Sequence, residues 1–283
     1  MKKTPELIPD TDSANNASQL ISETLLSIKA SYLAIFQNWR VWWILARQDI
    51  QMRYRRSAIG PFWISISMAI MIFGIAFLYS QIFDIDFKSY LAFLGASFLI
   101  WGYLSLALSE ATGILIESEQ HLRSVPIRTS VFSARMVFRN VIIFCHNWLV
   151  ISCVLFYTGV PITPALLLMP FGFILLILFG FFCGMFLGPI TLRFRDVGQT
   201  TANFVQFAFF LTPVIWMPSQ GRLDSIWLLI NPFYHLMEVV RQPLLGKYPT
   251  ADNWIYACLT VLGVAILANI TDVVSRKKIF LWL

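Results

Sequence analysis

Long apolar runs, separated by short charged segments, dominate the chain. Arg56 and Asp84 enclose 27 uncharged residues, and Arg139 and Arg193 enclose 53. Because a helix needs about 20 mostly apolar residues to cross a membrane, the first run predicts one crossing and the second predicts two. The turn-forming sequence TGVPITP divides the second run. The pattern predicts six transmembrane helices, at about residues 60–83, 89–116, 134–158, 164–191, 199–217 and 252–272.

The segments around these spans predict the remaining organisation. Residues 20–56 repeat apolar side chains at helical spacing among basic residues and tryptophans, which is typical of an amphipathic helix in the cytoplasmic interface. Residues 218–247 hold two short apolar stretches, each too short to cross, and predict a re-entrant helix pair at the outer face. The polar residues 1–19 predict a disordered cytoplasmic tail, and residues 276–283 predict a cytoplasmic end.

Composition places the chain among integral membrane proteins. Hydrophobic residues make up 58% of it and charged residues 13%, whereas soluble domains carry about a quarter charged residues. If the N-terminus is cytoplasmic, about 17 of the 21 Lys and Arg fall on the cytoplasmic side, as the positive-inside rule requires. We therefore predict an all-α polytopic protein, in which the six-helix domain covers residues 57–275 and both termini are cytoplasmic.

The sequence offers little chemistry of its own. It contains no P-loop, no nucleophile or metalloprotease motif and no metal-binding spacing among its four cysteines, so we expect neither an enzyme nor a metal site. An Asp84–Asp86 pair could suggest a glycosyltransferase, but it falls on the predicted outer side, where nucleotide sugars are absent. Glu110 is the one acidic residue set between apolar stretches of a span, and its role stays open. The energy for any transport is therefore expected to come from a partner.

Four motifs together suggest a family. The run RYRRSAIGPFW at residues 53–63 resembles the motif that opens the first span of ABC-2 permeases that export polysaccharides. The loop ESEQHLRSVPIRT, the sequence LRFRDV at residues 192–197 and the segment NPFYHLMEVVRQPLLG at residues 231–246 resemble the coupling loops and the outer segment of the same family. The ending RKKIFLWL is similar to that of the O-antigen branch. The resemblance covers nearly the whole chain from about residue 30, in the same order.

This resemblance implies a machine of several subunits. The chain would form a homodimer in the inner membrane of a bacterium and assemble with two copies of an ATP-binding ABC subunit. ATP and Mg would be bound by that partner, and this chain would hold no cofactor and bind no nucleic acid. The cargo would be a lipid-linked glycan, with O-antigen expected first. Capsule or teichoic-acid export, an ABC-2 drug or lipid exporter and an ATP-independent secondary transporter are the alternatives.

The resemblance also implies three sets of functional residues. Aromatic rings suit a sugar path because they stack on sugar faces, and arginines suit the pyrophosphate of a lipid-linked glycan because they bind it in a bidentate manner. The predicted substrate path comprises Arg53, Arg55, Arg56, Trp63, Phe73, Phe77, Tyr79, Phe204, Phe207, Phe210 and Trp216. The predicted ATPase-coupling residues are Glu117, Glu119, His121, Arg123, Pro126, Arg128, Arg193, Arg195 and Asp196. The predicted outer gate comprises Pro218, Asn231 and Pro232.

Overall fold

The computed structural model describes residues 11–53, 55, 60, 62–124, 127–218 and 226–282. All regular elements in these ranges are helical, which confirms the predicted all-α fold. A short 3-10 turn, Pro164–Leu168, leads into α7. The helices are α1 Thr11–Gln37, α2 Trp39–Arg53, α3 Phe62–Phe83, α4 Phe87–Glu117, α5 Glu119–Ser124, α6 Thr129–Thr158, α7 Met169–Arg193, α8 Asp196–Leu211, α9 Ile226–Ile230, α10 Pro232–Leu244, α11 Ala251–Ser275 and α12 Ile279–Trp282.

Five segments of the described chain are long and apolar enough to cross a membrane: α3, α4, α6, the stretch Pro164–Arg193 and α11. They match five of the six predicted spans to within a few residues. Helix α4 lies at the centre of the bundle, since it packs against α3, α6, α7, α8 and α10. We name the end of the bundle where α4 ends and α6 begins the basic end. The opposite end, where α6 turns into α7, is the hairpin end.

The predicted fifth span, residues 199–217, is wrong as a continuous helix. Helix α8 stops at Leu211, because Thr212 precedes a proline and such residues avoid the helical region; its φ and ψ are −94° and 136°. Together with the non-helical residues 212–217, α8 extends along most of the length of α4. Gly198 lies near Thr112 of α4, and the Tyr90 hydroxyl donates to the carbonyl of Ile215 at 2.8 Å. Thr112 and Tyr90 are 22 residues apart on α4, which corresponds to about 33 Å.

The re-entrant pair predicted at residues 218–247 has a clear geometry in its described part. Helix α10 begins near the middle of the bundle, where the ring of Phe233 lies 5.8 Å from that of Trp101. It ends at the hairpin end, where a Cβ built on Gly246 would lie 2.8 Å from the carbonyl oxygen of Pro161. Residues 219–225 fall outside the described residues.

The N-terminal amphipathic segment forms two helices rather than one. Residue Asn38 separates α1 from α2, and its side chain donates to the carbonyl of Ala34 at 2.9 Å. Residues 11–19, predicted as part of a disordered tail, are helical, because extending an existing helix is far easier than starting one. Residues 1–10 lie outside the described residues. Helix α1 packs on α6 and α11, and α2 packs on α6.

Candidate functional site

A strip of small and hydroxylated residues is exposed on the otherwise buried helix α4. Gly102 and Ser109 are exposed, and Ser105 between them is partly exposed. A Cβ built on Gly102 would meet no atom within 4 Å. Small residues on membrane helices mark surfaces that another polypeptide or a cargo approaches closely. The strip is therefore a candidate contact surface in the middle of the bundle.

Helices α3 and α8 flank this strip on its two sides. On one side, the ring of Trp101 lies 5.7 Å from that of Phe209 on α8. On the other side, a Cβ built on Gly95 would lie 4.0 Å from the Cγ2 atom of Ile72 on α3. The strip thus forms the floor of a lengthwise groove with α3 and α8 as its walls. We name it the α4 groove.

An aromatic cavity of about 750 Å³ lies at the hairpin end of the same side of the molecule. Helices α3, α4, α8 and α9 and the non-helical residues 212–217 contribute to its lining. Its aromatic residues are Tyr79, Phe83, Tyr90, Phe210, Trp216 and Trp227. Cavities of this size with mostly apolar walls are typical of ligand sites.

The structure brings together some of the predicted path aromatics but not others. Tyr79, Phe210 and Trp216 meet in the aromatic cavity. The remaining five are exposed on α3 or α8 without lining that cavity; they are Trp63, Phe73, Phe77, Phe204 and Phe207. The helical spacing of these residues gave no means to separate the two groups, since exposure on a membrane helix does not distinguish a path from a lipid contact.

The predicted arginine cluster at residues 53–56 is already partly engaged. Arg53 ends α2, and its Nη2 atom lies 3.2 Å from Oε1 of Glu110, although 42% of its side chain stays exposed. Arg55 is exposed, and Arg56 lies outside the described residues. The second oxygen of Glu110 accepts from Arg139 at 2.8 Å. Glu110, whose role its sequence position left open, therefore belongs to an ion-pair network.

This network extends through a second carboxylate. Asp49 of α2 accepts hydrogen bonds from Arg135 at 2.8 and 2.5 Å and from Arg139 at 3.0 Å. All three side chains are about nine-tenths buried. Bidentate arginine–carboxylate pairs fix both distance and orientation, so the network attaches α2 to α4 and α6 at the basic end. This network was not predicted from the sequence, although the i, i+4 spacing of Arg135 and Arg139 at the start of a span was an available signal.

Most predicted coupling residues are exposed at the basic end. Helix α5 carries His121 and an exposed ion pair between Glu119 and Arg123 at 2.9 Å. Glu117 is exposed at the end of α4. A second exposed set, at the turn between α7 and α8, comprises Arg193, Arg195 and Asp196. Pro126 lies outside the described residues. The two exposed turns thus present charge on the same end of the bundle.

Arg128 differs from this set because it binds its own chain. Its Nη1 atom and the Nη2 atom of Arg276 each lie 3.1 Å from the Ser31 hydroxyl, and Asp272 accepts from that hydroxyl at 2.8 Å. Burial, and then repulsion by Arg276, lower the pKa of Arg128 from its ordinary value. Its position favours a junction between α1, α6 and α11 over the predicted contact with a partner.

The predicted outer gate has a defined local structure at Asn231. Its Oδ1 atom accepts from the backbone amides of Phe233 and Tyr234 at 3.0 and 3.3 Å, which caps α10. Pro232 then occupies the first helical turn, where its missing amide proton is harmless. Pro218 is partly buried beside the residues that follow α8. The gating role stays a prediction.

A buried ion pair in α10 was not predicted from the sequence. Arg241 and Glu238 pair with each other and are almost completely buried. Arg241 also donates to the Ser97 hydroxyl at 2.9 Å and to the Pro213 carbonyl at 2.5 Å, and its guanidinium lies 4.6 Å from the centre of the Phe93 ring. The pair therefore joins α10, α4 and the non-helical residues that follow α8.

The described residues offer no site for a metal ion. No group of three or more His, Cys, Asp or Glu side chains in these ranges is arranged to hold one. The four cysteines are free, and Cys183 alone among them is buried.

Comparison with known families accounts for most of the chain. The family model described as ABC-2 type transporter matches residues 40–245, which is more than two thirds of the sequence. No curated protein matched the chain in a sequence comparison. The match confirms the resemblance at the level of the ABC-2 family, whereas the polysaccharide cargo stays a prediction.

Proposed function

Because this chain belongs to the ABC-2 type transporter family, we propose that it is the permease subunit that exports a lipid-linked polysaccharide, with O-antigen as the first candidate. Members of this family normally pair with an ATP-binding subunit, and several apolar helices make this chain a multi-pass membrane protein. In our proposal, two copies of the chain and two copies of the ATP-binding subunit form the transporter in a bacterial inner membrane. ATP and Mg are bound by the partner.

The observation that carries this proposal is the α4 groove. A single copy leaves Gly102, Ser105 and Ser109 uncovered between two apolar helices. A second copy packed along α3 and α8 encloses the two grooves as one path with a small, hydroxylated floor. Such a floor suits a glycan, because serine hydroxyls donate and accept hydrogen bonds while the glycine leaves room for sugar rings.

The two ends of the groove supply complementary chemistry. At the hairpin end, Tyr79, Phe210 and Trp216 offer aromatic faces on which sugar rings stack without demanding one sugar identity. At the basic end, Arg53 and Arg55 are exposed and can bind the pyrophosphate that joins lipid and glycan. The cargo thus enters by its charged group and leaves along an aromatic surface.

Force from the partner is applied at the basic end. Helix α5 and the turn at Arg195 present charged side chains to a soluble ATPase. The buried network around Asp49 ties α2 to α4 and α6, so a push on α5, which follows α4, moves these helices together. In this scheme, closure of the ATPase pair tilts α3 and α8 against their copies in the second subunit, a rigid-body motion at an interface.

The proposal is tested by blocking the groove. Gly102→Trp fills the floor, and Gly263→Trp on α11 is the matched control, since a Cβ on either glycine meets no atom within 4 Å. Export by the chain with its ATPase partner in proteoliposomes, measured with a lipid-linked glycan, should fall at least about tenfold for Gly102→Trp alone. Equal export by both variants, with equal amounts of assembled transporter, would refute the path.

The arginine role is tested with variants that keep the positive charge. Lysine cannot bind a pyrophosphate in the bidentate manner of arginine. Replacing Arg55 and Arg56 by lysine should therefore raise the concentration of cargo needed for half-maximal export. Full-rate export at low cargo concentration, at unchanged protein levels, would remove the pyrophosphate role. In cells, deletion of the subunit should leave lipid A undecorated and glycan stranded inside, whereas a capsule or teichoic-acid defect would select those cargoes instead.

A further inference from the structure

A second cavity opens from the side of the α4 groove into the space between α3, α4 and α6. Its volume is about 440 Å³. Gly102, Ser105 and Ser109 of the groove floor belong to its lining, together with Asn140 and Asn147 of α6. Its depth is that of the middle of the bundle, because Gly102 is the central residue of α4. We name it the side cavity.

We propose that the side cavity is a subsite for a neutral, hydroxyl-rich sugar unit, bound through the carboxamides of Asn140 and Asn147. The inference rests on the proposed function and specifies what kind of sugar the path accepts. Three features of the cavity support this assignment: its unpartnered amides, its size and the absence of charged side chains from its described lining.

Two carboxamides that line the side cavity have atoms without a hydrogen-bond partner among the described residues. Asn140 is 1% exposed, and neither its Oδ1 nor its Nδ2 atom has a hydrogen-bond partner in the described part of the chain. Asn147 lies seven residues, or about two turns, further along the same face of α6, and its buried Oδ1 atom also has no partner there. Because buried polar groups in native proteins are almost always hydrogen-bonded, these amides indicate a polar ligand.

The side cavity is large enough for a sugar unit. A water molecule occupies about 30 Å³ in the liquid, so a cavity of about 440 Å³ exceeds the space that a few bridging waters need. Phe98 and Tyr103 add aromatic surface to the lining. Ligand sites typically combine such apolar walls with a few polar groups that fix the orientation of the ligand. The side cavity has this composition.

The described lining of the side cavity is electrically neutral. No charged side chain of the described residues lines the side cavity. The nearest charged residues in sequence, Glu110 and Arg139, pair with each other at 2.8 Å. A carboxamide offers both a donor and an acceptor, which matches a sugar hydroxyl, whereas an acidic sugar would bury its carboxylate there without a cation. The lining therefore selects neutral sugars.

The test compares two synthetic probes that differ only at C6 of the sugars, where one carries a neutral hydroxymethyl group and the other a carboxylate. One is a polyprenyl-pyrophosphate-linked tetrasaccharide of glucose, and the other carries glucuronic acid in its place. Binding of each probe is measured to the purified chain with its ATPase partner in nanodiscs. We expect the native transporter to bind the glucose probe about tenfold more tightly than the glucuronic acid probe. This ratio of dissociation constants corresponds to the free energy of one or two neutral hydrogen bonds.

The variants then localise this preference. Replacing both Asn140 and Asn147 by leucine should bring the two dissociation constants close to each other by weakening only the glucose probe. Cys145→Leu, on an exposed position of α6, is the control and should keep the preference. The melting temperature of the double variant should stay the same or rise, since an unpartnered buried amide is replaced by an apolar group.

Each other outcome overturns the inference in a distinct way. A preference that survives the double substitution means that it arises elsewhere in the transporter and that the two amides do not form the subsite. A clear drop in melting temperature assigns the amides to folding. Equal binding of both probes by the native transporter removes the subsite but leaves the proposed function intact. Failure of the native transporter to bind either probe removes the proposed function itself.

Discussion

Removing the buried cation of α10 is the sharpest test of how this fold is held together. In Arg241→Met, the side chain keeps most of its length but loses every donor. Glu238 then keeps one side-chain partner, Gln242, whose Nε2 atom donates to it at 2.6 Å. The Pro213 carbonyl and the Ser97 hydroxyl also lose their bonds from the guanidinium.

The expected loss follows from these contacts. Breaking a buried ion pair by removing one partner costs about 3–5 kcal/mol, because the remaining charge is uncompensated. The lost attraction to the Phe93 ring and the unpaired Pro213 carbonyl act in the same direction. These terms are not additive, so we expect Arg241→Met to lower the free energy of unfolding by about 3–5 kcal/mol in total.

A double variant and an exposed pair make this test specific. Converting Glu238 to Gln in the Arg241→Met background removes the stranded charge and should restore at least about half of the loss. Arg123→Met breaks an exposed pair on α5 and should cost less than about 1 kcal/mol. The assay is unfolding in mixed micelles by denaturing detergent, followed by tryptophan fluorescence. If Arg241→Met is as mild as Arg123→Met, or the double variant is no better than the single, the reasoning is wrong.

Three further changes have defined outcomes. Gly172→Ala should lower the free energy of unfolding by about 1–3 kcal/mol, because its Cβ would lie 2.6 Å from the Val239 carbonyl oxygen. Gly263→Ala, whose Cβ meets nothing within 4 Å, should leave the free energy of unfolding unchanged or raise it in the same assay. Asp49→Asn should speed hydrogen exchange in α2 and leave that of α11 unchanged; equal exchange in α2 would contradict the network. Hydrogen bonds from the backbone amide and hydroxyl of Ser89 lower the pKa of the Asp86 carboxyl, so its stabilisation is present above about pH 4 and lost as pH falls through the lowered pKa. The melting temperatures of native protein and Asp86→Asn should therefore converge in acid, and a constant difference would contradict this.

The helix boundaries were predictable where local chemistry marks them. Asp86 accepts from the backbone amide of Ser89 and caps α4, and Gly159 ends α6 with a φ of 74°. Both positions lie within a few residues of the boundaries that charge and turn residues predicted. The early end of α8 has an equally local cause in Pro213, but the long uncharged run around it obscured that signal.

The buried polar contacts could not be predicted, because they depend on which helices become neighbours. Arg135 and Arg139 counted as cytoplasmic positive charges in the sequence, and Asp49 was one residue of an interfacial helix. Only the packing of α2 on α6 places them together. For the same reason, the sequence assigned no role to Asn140, since a single asparagine in a span does not reveal whether its amide finds a partner.

Because α8 ends early, its last turn is held in place differently from the rest of the helix. Its last carbonyls are satisfied by side chains: Asn231 donates to Leu211 at 3.3 Å, and the Trp216 indole donates to Phe210 at 3.2 Å. These carbonyls can exchange a side-chain donor for water or for another donor one at a time. Backbone hydrogen bonds within a helix are lost only when the helix itself unwinds. The end of α8 at Leu211 is thus held by exchangeable side-chain hydrogen bonds, so it can shift against its neighbours while the hydrogen bonds within the helix stay intact.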